Sequence, residues 1–506
     1  MEILKEILRI VTSSSDKTKV LPELIGKETA SSLAGRFLMG MANDVYSDDE
    51  EASLDLYGEP ASYQRYRTLK SRMYERLMHS LLFLEVKQPV HSEYLSYYYK
   101  CMRNLLGSQT LMRFASRKAG YVIALKTLTV AKRYEFTDIC LSLAVLLRES
   151  AGVWDHRTAF LRHHHDVVKY MAALKAEYDS EFLLDHIKLE MTVTSRKRSY
   201  LLDLHRDAML KVAALCKESD THVLRLNSFR AALFYYDYVE DFAGVMNECD
   251  RVIEYLDSRP HLAQRARYGE FKLQKMSAAL YLRRYEEAAA LSDSCIESFT
   301  EAGNNWYFAS DQAFVAAINI QDYEKAEYYY SCATNHKKYS TLQDNKRERW
   351  IIYGAYLLLA ERLGLYTPPQ SKAKTFRLTT YLNSVPEEAK SKKVYNVLII
   401  VSHVFFLMLD GDFDTADARI DYLRVYSSRY LKEKHFNRVR IFLRVIQSFP
   451  KHSFNPADIK RNTRDVLEEL YALQADPMPS ETNELIPFEV MFEALLKTMQ
   501  NSTPRI

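Results

Sequence analysis

The chain has 506 residues, 47% hydrophobic and 27% charged, a composition that fits a globular protein and excludes a disordered one. Only 13 residues are glycine, which disfavours phosphate-cradling loops, Rossmann and P-loop folds and all-β architectures together. With 69 Lys+Arg against 66 Asp+Glu, the net charge of +3 gives no reason by itself to expect nucleic acid or an anionic membrane.

In chain order, the start Met1-Glu2-Ile3-Leu4-Lys5-Glu6 carries charge where a signal peptide needs an apolar core, so a cytoplasmic chain is expected. Residues 1–60 read as a small helical cap followed by an acidic loop, because Asp44, Asp48, Asp49, Glu50, Glu51 and Asp55 have no Lys or Arg among them. Residues 61–260 read as helical hairpins. No proline occurs between Pro89 and Pro260, and the next is Pro368, so helix can follow helix without interruption. Apolar positions recur at helical spacing, as in Tyr121, Ile123, Ala124, Leu125 and Leu128, followed by Ala131, and sustained alternation is absent. About twenty helices are expected, joined by turns such as Ser258-Arg259-Pro260 and Asp410-Gly411-Asp412.

Six cysteines (Cys101, Cys140, Cys216, Cys249, Cys295, Cys332) are scattered without a CxxC pair, which predicts reduced, buried thiols. His163-His164-His165-Asp166 is the one histidine cluster. Neighbours on a helix point about 100° apart, so three adjacent histidines cannot ligate one metal, and the run reads as a polar helix face. The tyrosine runs Tyr97–Tyr99, Tyr235–Tyr238 and Tyr328–Tyr330 read as packing rather than base stacking.

A repeat appears from residue 261 onward. Ala278-Ala279-Leu280-Tyr281-Leu282-Arg283-Arg284-Tyr285-Glu286-Glu287-Ala288 aligns with Ala316 to Ala326, 38 residues later, and Leu407 to Ala416 is a third copy. Each has a helix end, a polar turn and an aromatic (Tyr285, Tyr323, Phe413). A small residue follows three positions on (Ala288, Ala326, Ala416), with Cys295, Ala333 or Leu423 seven beyond it. Phe242, Val245, Cys249 and Val252 form a weaker echo. These units resemble the second half of tetratricopeptide repeats over about residues 260–430, although the first-helix Trp and Gly and the closing Pro are missing. The resemblance implies an all-α, right-handed α-solenoid of antiparallel helix pairs, with repeats over 261–476 and a C-terminal helix and tail over 477–506. The most apolar stretch, Val394–Leu409, is too short to span a bilayer and reads as a buried helix.

Catalytic templates fail one after another. Gly35 and Gly40 have P-loop spacing, but Met41-Ala42 follow where Lys-Ser/Thr is needed. His205-Arg206-Asp207 matches a kinase catalytic loop, but Val212 stands at the metal-binding Asn position. No HExxH or GxSxG occurs. No catalytic residue, cofactor or metal is therefore expected. The expectation is a non-enzymatic scaffold or adaptor that binds a protein partner through its concave or charged surface, with Arg429, Lys432, Lys434, Arg438, Arg440 and Arg444 as partner-binding candidates. A nucleic-acid-binding helical repeat and an enzyme with a nonlocal site are the rivals, and self-association through the charged runs stays open.

Overall fold

A computed structural model describes residues 1–13, 31–82, 93–114, 116–193, 195–368, 376, 378–379, 381, 393–431, 436–473 and 484–502. Among them there are 22 α-helices and no strand. The chain divides into two compact units: residues 1–186, 211–228 and 257–265, and residues 187–210, 229–256 and 266–506.

In the first unit, α1 (Glu2–Ser13), α2 (Leu33–Ala42), α3 (Asp49–Tyr57) and α4 (Gln64–Leu82) enclose a core of Leu4, Leu8, Phe37, Met41, Tyr66, Met73 and Leu77. Most of the acidic run proves to be helix, not loop: Asp49, Glu50, Glu51 and Asp55 lie in α3, and only Asp44 and the N-cap Asp48 precede it. Asp48 caps α3 by accepting from the Glu51 N–H at 2.9 Å, and Asp49, Glu50 and Glu51 fill the first turn, where the helix dipole favours anions. Each further carboxylate has an intramolecular partner. Glu51 takes the Ser47 N–H, Glu50 the Ala61 N–H, Asp55 the Tyr46 hydroxyl and Arg36, and Asp44 takes Lys5. The carboxylates of the run are thus all partnered within the unit.

Three more helices, α5 (Glu93–Arg113), α6 (Arg117–Arg133) and α7 (Thr137–Val153), pack in sequence around Cys101, Ala124, Leu143, Tyr134 and Phe136. The helices α8 (Arg157–Met191), α9 (Arg198–Glu218) and α10 (His222–Tyr238) contribute residues to both units. The second unit continues through α11 (Phe242–Asp257), α12 (Arg265–Tyr281), α13 (Tyr285–Ile296), α14 (Asn304–Asn319), α15 (Tyr323–Thr334) and α16 (Asp344–Arg362). It closes with α17 (Lys393–Leu409), α18 (Phe413–Tyr430), α19 (Asn437–Ile446), α20 (Pro456–Asn462), α21 (Arg464–Ala472) and α22 (Phe488–Ser502). From α13 to α19 each helix packs on the next, the sequential arrangement of an α-solenoid.

The repeat has a backbone signature that its side chains only partly reveal. Six of the three-residue linkers between consecutive helices share one conformation: 134–136, 154–156, 239–241, 282–284, 320–322 and 410–412. In each the middle residue is left-handed: Glu135, Asp155, Glu240, Arg283, Gln321 and Gly411 have φ between 53° and 75°. The third N–H of each linker bonds a carbonyl five residues back, for example Arg284 to Ala279 at 2.8 Å and Asp322 to Ala317 at 2.9 Å, which closes a Schellman turn. Three linkers then supply an Asp N-cap to the following helix, Asp241, Asp322 and Asp412, accepting from Gly244, Lys325 and Thr415.

Three residues into the second helix, Ala288, Ala326 and Ala416 are fully buried, as the close approach of paired helices requires. Seven residues beyond them Cys295, Ala333 and Leu423 are buried too. The echo at Phe242 holds, with Val245, Cys249 and Val252 all inside. The same register also puts Cys140 and Leu147 of α7 and Val167 of α8 in the interior, although Thr137 and Arg157 stand where the other units have an aromatic. Not every corner aromatic is sealed: Phe413 is 38% exposed and stacks on Phe454 instead.

The apolar stretch Val394–Leu409 falls in α17, whose Val397–Phe406 are buried, and no described helix is long and apolar enough to cross a membrane. The described cysteines are free thiols, and burial pushes Cys140, Cys249 and Cys295 up to about 12. Cys216 is half-buried and Cys332 is exposed, against the expectation for all six.

Candidate functional site

The basic span is where structure and sequence part. Lys432 and Lys434 lie outside the described residues. Arg429 is exposed at the end of α18, Arg440 turns to Asn437 at 3.0 Å, and Arg444 pairs with Glu469 at 2.8 Å. Arg438 is not a surface cation at all, being only 7% exposed. It sits at the first position of the i, i+3, i+4, i+7 stripe completed by Ile441, Phe442 and Val445, so it lies on the apolar face of α19 and is carried inward with it.

Inside, Arg438 is fully engaged. Nε and Nη2 donate to the two oxygens of Glu484, both at 2.8 Å, in a bidentate fork. Nη2 also reaches Glu489 at 2.7 Å, Nη1 donates to the Leu470 carbonyl at 2.7 Å, and the guanidinium lies over the Phe488 ring. Glu484 in turn accepts the Phe488 N–H at 2.8 Å and so holds the N-terminus of α22. Burial works against the Arg438 charge, but the two carboxylates outweigh it and raise its pKa above the ordinary arginine value. Glu484 and Glu489 therefore bracket a permanent cation.

This network forms the floor of a cleft of about 370 Å³ within the second unit. The corner residues Arg283 and Gln321 contribute to its lining, with Tyr285 at the start of α13 and Asn319 at the end of α14. Arg283 reaches Glu484 at 3.4 Å. Burial pushes Tyr285 up to about 12, so its phenol stays protonated. At the exposed rim Glu286 and Glu493 have no ion pair among the described residues; Glu493 accepts only the Tyr471 hydroxyl at 3.1 Å. Four carboxylates thus face two guanidiniums, and the last carbonyls of α14 add the negative end of a helix dipole. The cleft favours a cation.

The other sequence candidates are dispersed. His163 is buried with Nε2 3.3 Å from the Tyr121 hydroxyl, and burial, then Arg162, lowers its pKa. His164 and His165 face outward, while Asp166 accepts from Lys132 at 2.9 Å. No group of three His, Cys, Asp or Glu among the described residues is placed to hold a metal. The tyrosine runs divide between interior and surface: Tyr97 stacks on Tyr134, Tyr98 donates to Asp138 and Tyr329 to Asp293, whereas Tyr99 and Tyr328 are exposed. A larger cavity of about 870 Å³ in the first unit is lined by Asp49, but that carboxylate already takes the Met1 ammonium at 3.1 Å, Lys70 at 2.8 Å and Tyr66 at 2.7 Å.

The cleft residues Glu484, Glu489, Tyr285 and Glu286 escape sequence reasoning because they join segments up to about two hundred positions apart. The one available signal was the apolar register of Arg438, which marks a charged side chain destined for the interior. Compared with protein-family models, with curated proteins and with solved structures, the chain matches none.

Proposed function

We propose that the protein is a non-enzymatic helical-repeat scaffold or adaptor, of the kind its tetratricopeptide-like corners suggest, and that it receives a partner protein in the cleft beside α14. One observation carries this reading. The cleft floor is locked by the saturated Arg438–Glu484–Glu489 network, while the rim carboxylates Glu286 and Glu493 have no cation among the described residues. A rigid floor under unneutralised rim charge suits a Lys or Arg side chain presented by another chain.

The test is affinity purification from the native host with the wild type and with Glu286→Lys plus Glu493→Lys, each checked for an unchanged melting temperature. The expected result is that proteins retained by the wild type are lost from the double variant, more completely at low salt. Retention of the same proteins by both would remove the cleft from the reading.

A further inference from the structure

A second polar depression lies at the opposite end of α14, and nothing in the adaptor reading uses it. It measures about 210 Å³, and its lining includes Asn304, Tyr307, Lys338, Thr341, Gln343 and Lys346, with no carboxylate among the residues that line it. Three features converge. The first is the N-terminus of a 16-residue helix whose N-cap is Gly303, which offers no side chain to the first N–H groups. In the first turn the Tyr307 N–H goes to the Gly303 carbonyl, which leaves the N–H groups of Asn304, Asn305 and Trp306 without a bond inside the helix. The second is a pair of ammoniums, Lys338 and Lys346. Lys346 rests 3.3 Å from the Asn304 side-chain oxygen, and neither lysine has an ion pair among the described residues.

The third is Tyr307. It is only 4% exposed, and its hydroxyl has no hydrogen-bond partner among the described residues. Leaving a buried hydroxyl unpaired is unfavourable, so it calls for an acceptor that the described residues do not provide. Burial, then the nearby Glu301, raises its pKa, which keeps the phenol a donor at neutral pH. Asp344, the first residue of α16, is already paired with Arg347. Donors and positive charge therefore converge on a pocket whose lining carries no carboxylate.

We infer that this pocket binds a single phosphoryl group, held by the N-terminus of α14, the ammoniums of Lys338 and Lys346 and the hydroxyl of Tyr307. The volume is ample for one tetrahedral oxyanion, and helix N-termini combined with lysines are an established way to hold phosphate. Two sources share that chemistry, free phosphate and a phosphomonoester carried on a serine.

The experiment titrates the full chain, in buffer free of phosphate and sulfate, with inorganic phosphate and separately with O-phosphoserine, read by calorimetry. Saturable binding of either probe is expected, and the tighter of the two identifies the source. Lys338→Gln plus Lys346→Gln should weaken it by about tenfold or more, and Tyr307→Phe by about threefold to tenfold, with unchanged circular dichroism. Absence of saturable binding up to about 10 mM of both probes, or binding that both variants leave intact, overturns the assignment.

Discussion

The two ends of α14 make opposite use of buried polarity. At its C-terminal end, about 22 Å from the first residue by helical rise, the donors of Arg438 and the carboxylates of Glu484 and Glu489 answer one another. At its N-terminal end two lysines and the Tyr307 hydroxyl find no matching anion on the pocket lining. The helix between them is buried over most of its length, so both ends are held by the same core. A saturated network is part of the scaffold, and its removal should be felt as lost stability. An unsaturated one carries little of the fold, and its removal should be felt only when a ligand is present.

That contrast can be broken in graded steps. Arg438→Ala should be the most severe, destabilising the chain by about 3–5 kcal/mol in urea unfolding, because two buried carboxylates lose their cation together. Charge reversal at Arg438 is therefore a folding variant and not a test of surface electrostatics. Ala326→Leu, where α15 meets α14, should destabilise by about 1–3 kcal/mol by forcing the pair apart. Gly411→Ala should follow at about 1 kcal/mol. The added methyl meets no atom within 4 Å, so a loss of that size in thermal unfolding would measure the left-handed backbone alone. Lys338→Gln with Lys346→Gln should change stability by less than about 0.5 kcal/mol without ligand, the value expected of surface positions. A large loss there would place the lysines in the scaffold and erase the contrast.

A carboxylate in the other unit extends the comparison to pH. Burial opposes ionisation of Asp49, but hydrogen bonds from Lys70, Tyr66 and the Met1 ammonium prevail and hold its pKa at about 2. A folded pKa below the unfolded value of about 3.9 gives stability that is present above pH 4 and lost as pH falls toward 2. Asp49→Asn should accordingly flatten the acid limb of the wild-type stability profile over that window, with the smallest effect of the series because the group is a third exposed.

The helical class was legible because proline-free tracts and apolar spacing act locally, and α17 and α22 fall where those patterns put them. The corners at Tyr285, Tyr323 and Phe413 were legible because their side chains repeat. Those at Thr137 and Arg157 were not, since what repeats there is a backbone conformation on unrelated residues. The acidic run misled for a different reason. Its nine-residue helix has no marked apolar face, although Asp48 and Glu51 stand at the spacing of a capping box. Neither polar end of α14 could be read, because Glu484 reaches Arg283 and Arg438 at one end, and Lys338 reaches Tyr307 at the other, only through tertiary packing.

The left-handed corner residues bear on how such a chain tolerates having so little glycine. A glycine there would relieve roughly 1 kcal/mol of steric conflict, yet five of the six corners carry a long or charged side chain. Several of these act as clasps. Glu135 accepts the His222 N–H at 2.7 Å and meets Arg259 at 3.4 Å, Glu240 meets Arg198 at 3.6 Å, and Arg283 meets Glu484. The bend of each hairpin is thus also an address at which the chain places one chosen side chain on the rim of its stack. Changing that letter rewrites what the edge touches while the turn beneath it keeps its shape.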